Sequence, residues 1–266
     1  MSILIPIFNE EDGIVQLKEK LSGLQELLQS EYELEFLFID DGSSDLTVPR
    51  LKQCFQDSAL RTSILEHGVN RGVGAAFRTG FQHARGGLVC TIDADCTYSP
   101  AGLQQLLSAL RSSGADIAVA SPYHPDGGVE GVAAWRLVLS KGCSALYRLF
   151  SPLKLYTYTS IFRAYRGEVV RNVHFRGNGF VSASEILIAA GRLGYTVTEV
   201  PMVLRARTVG RSKMKVLRTI VSHLEMLSSF AGAWKAAPAR RPVARVRGTL
   251  VSTGISTRNN KDPFAA

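Results

Sequence analysis

Short apolar runs of strand length alternate with helically spaced apolar residues from the first residue to about Ala120. Ile3–Ile7, Leu34–Ile39, Thr62–Leu65 and Leu88–Ile92 have the continuous hydrophobicity of strands covered on both faces. Between them, Ile14, Leu17, Leu21, Leu24, Leu27 and Leu28 recur at helical spacing. A second helix is expected through Leu51 and Phe55, capped by Ser43, Ser44 or Asp45, and a third over Gly72–Ala84. Ser99 and Pro100 open a fourth, which runs through Leu110 to a stop at Gly114. Strands that each return through a helix require right-handed crossovers, so the chain is read as α/β, with a mostly parallel sheet flanked by helices on both faces.

The second half is less regular. A Gly/Pro-rich loop over Ser121–Gly131 precedes a long amphipathic helix bearing Trp135, Leu139, Leu146 and Phe150. An alternating stretch, Tyr156–Arg166, follows; Tyr195–Val200 reads as a last strand and Met214–Phe230 as a last helix. Such a half is expected to shape an acceptor site.

Composition limits the class. At 266 residues, with 45% hydrophobic and 20% charged residues, the chain can bury its own core and is neither disordered throughout nor a disulfide scaffold. Cys54, Cys90, Cys96 and Cys143 form no CxxC pair and have no histidine at zinc-site spacing, so they read as reduced thiols of a cytosolic compartment. No apolar run approaches the roughly 20 residues of a membrane span, and the first residues enter a strand pattern rather than a signal peptide. A cytoplasmic location is therefore expected, with at most peripheral contact on the cytoplasmic face of a membrane.

The net charge of +8 is concentrated. From Gly232 onward, seven cations stand against one acid, Asp262, a net +6. Residues 1–231 are thus expected to form the folded domain and 232–266 a basic, unfolded tail, with contact to anionic lipid or nucleic acid as its second reading. Near-neutrality of the remainder argues against nucleic acid as a partner.

In an open parallel sheet, ligands bind beyond the carboxyl ends of the strands. Here those ends are acidic: Glu10 after the first, Asp40 and Asp41 after the second, Asp93 and Asp95 after the fourth. Carboxylates crowded on one edge repel unless a cation lies among them, so their convergence on one divalent ion is expected. In Asp93-Ala94-Asp95 the outer residues point the same way in an extended segment, and Ala94 leaves room against the backbone. Hard oxygen donors suit Mg2+ or Mn2+. No GxGxxG follows the first strand and no GxxxxGK[ST] occurs. Arg205, Arg207, Arg211, Lys213, Lys215 and Arg218 form an acid-free cationic stretch whose first part, with Gly210 and Ser212, reads as a mobile loop able to fold over a diphosphate. Ser182-Ala183-Ser184-Glu185 has the form of a capping box, in which Glu185 bonds back to the Ser182 amide; the alternative is a general base.

Taken in order, IPIFNEE (5–11), DDGSSDLT (40–47), NRGVGAA (70–76), DADCTYSP (93–100), SPYHPDGG (121–128), TSIFRAYR (159–166) and RTVGRSK (207–213) resemble the family 2 glycosyltransferases of the GT-A fold. The resemblance is strongest to the polyprenyl-phosphate branch, which includes the dolichol-phosphate mannose synthases. It implies a nucleotide-diphosphate sugar donor, with Pro6, Phe8 and Glu10 lining the nucleotide pocket and Asp40 bonded to the base. It also implies a metal on Asp93 and Asp95, Ala94 against the sugar nucleotide, and Arg207 and Lys213 closing over the phosphates. Pro122 and Thr97 depart from the mannose synthase pattern, which has Arg and Gln near those places. The expected function is metal-dependent, inverting sugar transfer to a polyprenyl phosphate, with Asp95, Arg207, Lys213 and Glu185 as catalytic candidates. Two alternatives stay open: a hydroxyl acceptor on a glycan or glycolipid, with Glu185 as base, and a non-catalytic membrane- or nucleic-acid-binding module.

Overall fold

A computed structural model describes residues 1–206 and 221–226. The first half follows the alternation closely: β1 (Ser2–Ile7), α1 (Ile14–Leu28), β2 (Glu35–Asp40), α2 (Thr47–Phe55), β3 (Thr62–Glu66), α3 (Val73–His83), β4 (Leu88–Thr91), α4 (Leu103–Ser113) and β5 (Ile117–Ser121). Gly114 ends α4 with a left-handed φ of 66°, a conformation open to glycine at little cost. Ser99 makes no side-chain cap; Pro100 instead opens a short 3-10 turn, Pro100–Gly102, that leads into α4.

The remainder comprises β6 (Gly128–Glu130), α5 (Ala134–Phe150), β7 (Arg163–Arg166), α6 (Gly167–Asn172), α7 (Val181–Arg192), β8 (Val197–Pro201) and β9 (Val203–Arg205). One sheet has the order β3-β2-β1-β4-β7-β5-β8, parallel except for β7, which runs antiparallel to both neighbours. The alternating stretch Tyr156–Arg166 becomes strand only in its last four residues. The loop Ser121–Gly131 holds β6, which pairs with β9 in a small second sheet. Of the expected helix Met214–Phe230, Val221–Met226 is helical, and the rest, like the tail 232–266, lies outside the described residues.

Period-2 geometry sends alternate side chains to opposite faces, and both faces are covered. Ile3, Ile5, Phe36 and Phe38 pack with α1, α2 and α4 on one side. Leu4, Leu37, Ile39 and Val89 pack with α3, α6 and α7 on the other.

The strand order places the site. The chain leaves β1 toward β2 and β3, then returns to place β4 on the other side of β1. The chain leaves the carboxyl end of β1 toward β2 and that of β4 in the opposite direction along the sheet, toward β5, both through helices on the α1/α4 face, and the crevice at this topological switch point is where α/β sheets bind ligands. Phe8 to Glu10 and Asp93 to Asp95 emerge on its two sides.

Candidate active site

The β1 and β4 ladder ends with Leu4 opposite Thr91, and the Ile92 amide donates to the Leu4 carbonyl at 3.0 Å. Carrying that register two residues on sets Pro6 level with Asp93. Both strands then turn sharply. Among the described residues Asn9 (φ 52°) and Cys96 (φ 51°) are the positive-φ non-glycine residues, one beyond each strand, and such backbone is held only where its surroundings enforce it. At Asn9 the enforcement is visible: its amide donates to Ser43 Oγ at 2.9 Å and its Oδ1 accepts from the Ser44 amide at 2.8 Å. The Glu10 amide donates to Thr47 Oγ1 at 2.8 Å, and Glu11 Oε2 accepts from the Leu46 amide at 3.0 Å. The loops after β1 and β2 therefore form one cross-linked unit.

Asp93, Ala94 and Asp95 are all half-buried, and the Thr97 amide donates to Asp95 Oδ1 at 3.1 Å, which orients that carboxylate in the turn. Tyr98 is buried behind them, stacked on Phe162 with centroids 5.2 Å apart. The Cys96 thiol is pushed up to about 11 by burial, opposed by Lys20 and reinforced by the charges of Asp95 and Asp93. It is a neutral thiol near pH 7 and adds no charge to the carboxylate pair.

The convergence of three strand ends on one ion is corrected by the structure. Asp40 and Asp41 are buried and spend their carboxylates on backbone amides: Asp40 accepts from Gly42 and Ser43. Asp41 accepts from Arg71 at 3.0 Å and Gly72 at 2.7 Å. Among the described residues no group of three or more His, Cys, Asp and Glu side chains is placed to hold a metal. Asp93 and Asp95 share the turn after β4, and Glu10 lies beyond β1, all three half-buried. Two hard oxygen donors with the other positions left for water and phosphate oxygens fit Mg2+ or Mn2+ and do not fit zinc.

His67 belongs to the site's frame, and composition gave no sign of it. Its Nδ1 lies 2.9 Å from Asp41 Oδ1 and its Nε2 lies 2.8 Å from Thr79 Oγ1, with the Asp41 and His67 side chains almost wholly buried. Asp41 thus ties the end of β2 to the Asn70–Gly72 turn at the start of α3. A local signal existed in the paired Asp40-Asp41, since one strand end seldom needs two acids for the same task.

Glu185 sits one turn into α7, half-buried. The capping box does not form, because the Ser182 amide donates to the Gly179 carbonyl. The Glu185 carboxylate instead accepts the Arg176 amide at 2.9 Å and the Gly177 amide at 2.7 Å. It pins the 176–179 loop, which packs on α3: the Gly74 amide donates to the Asn178 carbonyl at 2.7 Å. Arg78 reaches the Gly177 carbonyl and the Asn178 side chain.

Arg207 and Lys213 lie outside the described residues. The chain leading to them is placed: β9 ends at Arg205, whose amide donates to the Thr97 carbonyl at 3.1 Å and whose guanidinium pairs with Glu130 at 2.9 Å. The strand therefore delivers the chain to the turn that carries Asp95.

A mostly parallel sheet with an antiparallel insertion and a paired-carboxylate turn at its switch point is the GT-A architecture of nucleotide-sugar transferases. A sequence model described as glycosyl transferase family 2 matches residues 2–173, and the chain belongs to that family. It is 31% identical over 84% of its length to a dolichol-phosphate mannosyltransferase of Pyrococcus furiosus, covering 61% of that protein. It is 29% identical over 80% of its length to a polyprenol monophosphomannose synthase of Mycolicibacterium smegmatis, covering 80% of it. A dodecaprenyl-phosphate galacturonate synthase of Rhizobium johnstonii is 27% identical over 90% of the chain, with 69% of that protein covered. The chain thus spans about three fifths of the archaeal relative's length. Among solved structures, glucosyl-3-phosphoglycerate synthase from Mycobacterium tuberculosis, in complex with Mn2+, UDP and phosphoglyceric acid, superposes with a TM-score of 0.63 at 19% identity. That match covers 90% of this chain and 79% of the other, and a second structure of the same enzyme holds Mg2+ and UDP.

Proposed function

We propose that this chain transfers a sugar from a nucleotide-diphosphate sugar to a polyprenyl phosphate. The observation that carries the reading is the Asp93-Ala94-Asp95 turn at the switch point, in a family 2 chain whose relatives are named as prenyl-phosphate sugar synthases. In this proposal Asp93 and Asp95 hold a divalent cation, Mg2+ or Mn2+, which when bound neutralises charge on the donor diphosphate. Phe8 and Glu10 flank the nucleotide beside Pro6, Asp40 borders the base while shaping the Gly42–Ser43 turn, and Ala94 keeps the backbone open to the sugar. Arg207 and Lys213 follow β9 and offer positive charge to the departing diphosphate.

The acceptor phosphate oxygen attacks the anomeric carbon as the bond from that carbon to the diphosphate oxygen breaks, inverting the centre. Most of the gain comes from positioning and electrostatics. A lipid phosphate is already an anion and needs no general base, which agrees with a Glu185 carboxylate engaged by two backbone amides. The enzyme works at the cytoplasmic face of a membrane.

The test is incubation of the full chain with Mn2+, a panel of nucleotide-diphosphate sugars and a short prenyl phosphate, with the product read by mass. One donor should give a singly glycosylated lipid. The same donor, at a hundred times its dissociation constant, should raise stability by about 2.7 kcal/mol. Neither transfer nor a thermal shift with any donor would return the chain to the binding-module reading.

A further inference from the structure

Asp41 and His67 form a polar pair inside the protein, with side chains 5% and 6% exposed. Each carboxylate oxygen and ring nitrogen of the pair has a partner. Asp41 Oδ1 meets His67 Nδ1 at 2.9 Å and the Arg71 amide at 3.0 Å, and Oδ2 accepts the Gly72 amide at 2.7 Å. A carboxylate only accepts, so these partners assign a proton to Nδ1. The other ring nitrogen, Nε2, lies 2.8 Å from Thr79 Oγ1 on α3, and the His67 amide donates to the Asp40 carbonyl at 2.9 Å. Burial this deep keeps both side chains from touching a ligand directly.

What the pair holds is backbone. Gly42, at φ 76°, lies so close to the peptide joining Val69 and Asn70 that a Cβ there would strike it. The 67–72 turn is therefore seated on the turn that Asp40 closes by accepting the Gly42 and Ser43 amides. Ser43 in turn receives the Asn9 amide from the loop after β1. On the far side, Gly72 and Gly74 bear on the backbone of Gly177 and Asn178. Turns from three strands and the loop ahead of α7 thus meet around one buried pair. Burying a carboxylate and an imidazole costs solvation that apolar side chains of like volume would not lose, so cohesion alone does not call for them. Directed hydrogen bonds add what apolar packing lacks, because they fix which backbone amides stand where. We infer that His67 is a positioning residue for the nucleotide: through Asp41 it locks the 69–72 turn against the Gly42 turn and so sets the shape of the pocket that Glu10 and Asp40 border. The inference rests on the transferase reading. It gives His67 a share of donor affinity, while no bond or proton of the transfer passes through it.

Two amide substitutions divide the bonds of the ring. In His67→Asn the amide nitrogen stands near the place of Nδ1 and keeps the bond to Asp41, whereas in His67→Gln it stands near Nε2 and keeps only Thr79. The common nucleoside diphosphates, with Mn2+, are titrated calorimetrically into the full chain and both variants, well below the melting temperature of each. For the nucleotide that the wild type binds, His67→Asn should keep the dissociation constant within about threefold, and His67→Gln should raise it about tenfold or more. In the transfer assay the donor KM should follow, with kcat within about threefold of the wild type, the pattern of binding lost equally from ground and transition states. A histidine that served only cohesion would lower both melting temperatures and leave the affinity of the folded molecules unchanged. An affinity in His67→Gln no weaker than in His67→Asn, or a fall in kcat at unchanged KM, would overturn the inference. So would failure of both variants to fold, since the pair would then hold the domain and not the pocket. A wild type that binds none of the nucleotides with Mn2+ removes the transferase reading itself, an outcome separate from any variant.

Discussion

At the scale of single residues, the carboxylates divide by what their oxygens touch. Asp40, Asp41 and Glu185 each hold two backbone amides, whereas Asp93 and Asp95 share the turn after β4, where Asp95 accepts the Thr97 amide. Asp95→Asn removes the charge while keeping an oxygen for the Thr97 amide. It should lower transfer by about a hundredfold or more with melting unchanged, and full activity would remove the metal assignment. Glu185→Gln separates positioning from base catalysis. An anchor for two amides should cost about 1–2 kcal/mol of stability and leave turnover on a prenyl phosphate within about threefold, whereas a general base would lose about a hundredfold or more. Among the described residues Arg163 on β7 is the largest fully buried side chain. Its guanidinium donates to the Ala183 carbonyl at 2.7 Å, the Tyr158 carbonyl at 2.9 Å and Tyr165 Oη at 3.3 Å. Among the described residues no carboxylate pairs with it. Arg163→Lys keeps the charge but loses the planar fork that serves separate acceptors, and should cost about 2–4 kcal/mol in a denaturant titration.

At the scale of elements, the site's wall is built by two glycine-rich segments in direct contact. Gly72, at φ 96°, has no room for a Cβ against the Asn178 carbonyl, and a Cβ on Gly74 would strike the Gly177 carbonyl. Backbone atoms cannot swing aside as side chains do, so α3 and the 176–179 loop approach this closely only through glycine. Gly74→Ala should destabilise by about 2–3 kcal/mol, or separate the two segments and weaken donor binding; thermal melting alongside a donor titration reads both. The NRGVG pattern was visible as a motif, but its partner was not, because Gly72 and Asn178 meet only through the tertiary fold. The same holds for β9. Its three residues have no periodicity long enough to be read, yet their pairing with β6 carries the chain to Thr97.

At the scale of the whole molecule, one sheet separates two cores, and the candidate site and an apolar face of helix α5 lie outside them. Donor binding in the crevice should stabilise all of it cooperatively, so the thermal shift with nucleotide sugar and Mn2+ should be a single displaced transition rather than a new one. Local periodicity was enough to establish β1 to β4 and α1 to α4, because a strand covered on both faces and an amphipathic helix each write their burial into consecutive residues. It also placed Asp93-Ala94-Asp95 at a strand's carboxyl end. The insertion of β7 antiparallel between β4 and β5, the withdrawal of Asp40 and Asp41 into backbone hydrogen bonds, the task of Glu185 and the outward turn of that α5 face came only with the tertiary structure. Each depends on which distant segment lies opposite, and a chain's local pattern records how much a side chain is buried but not by whom.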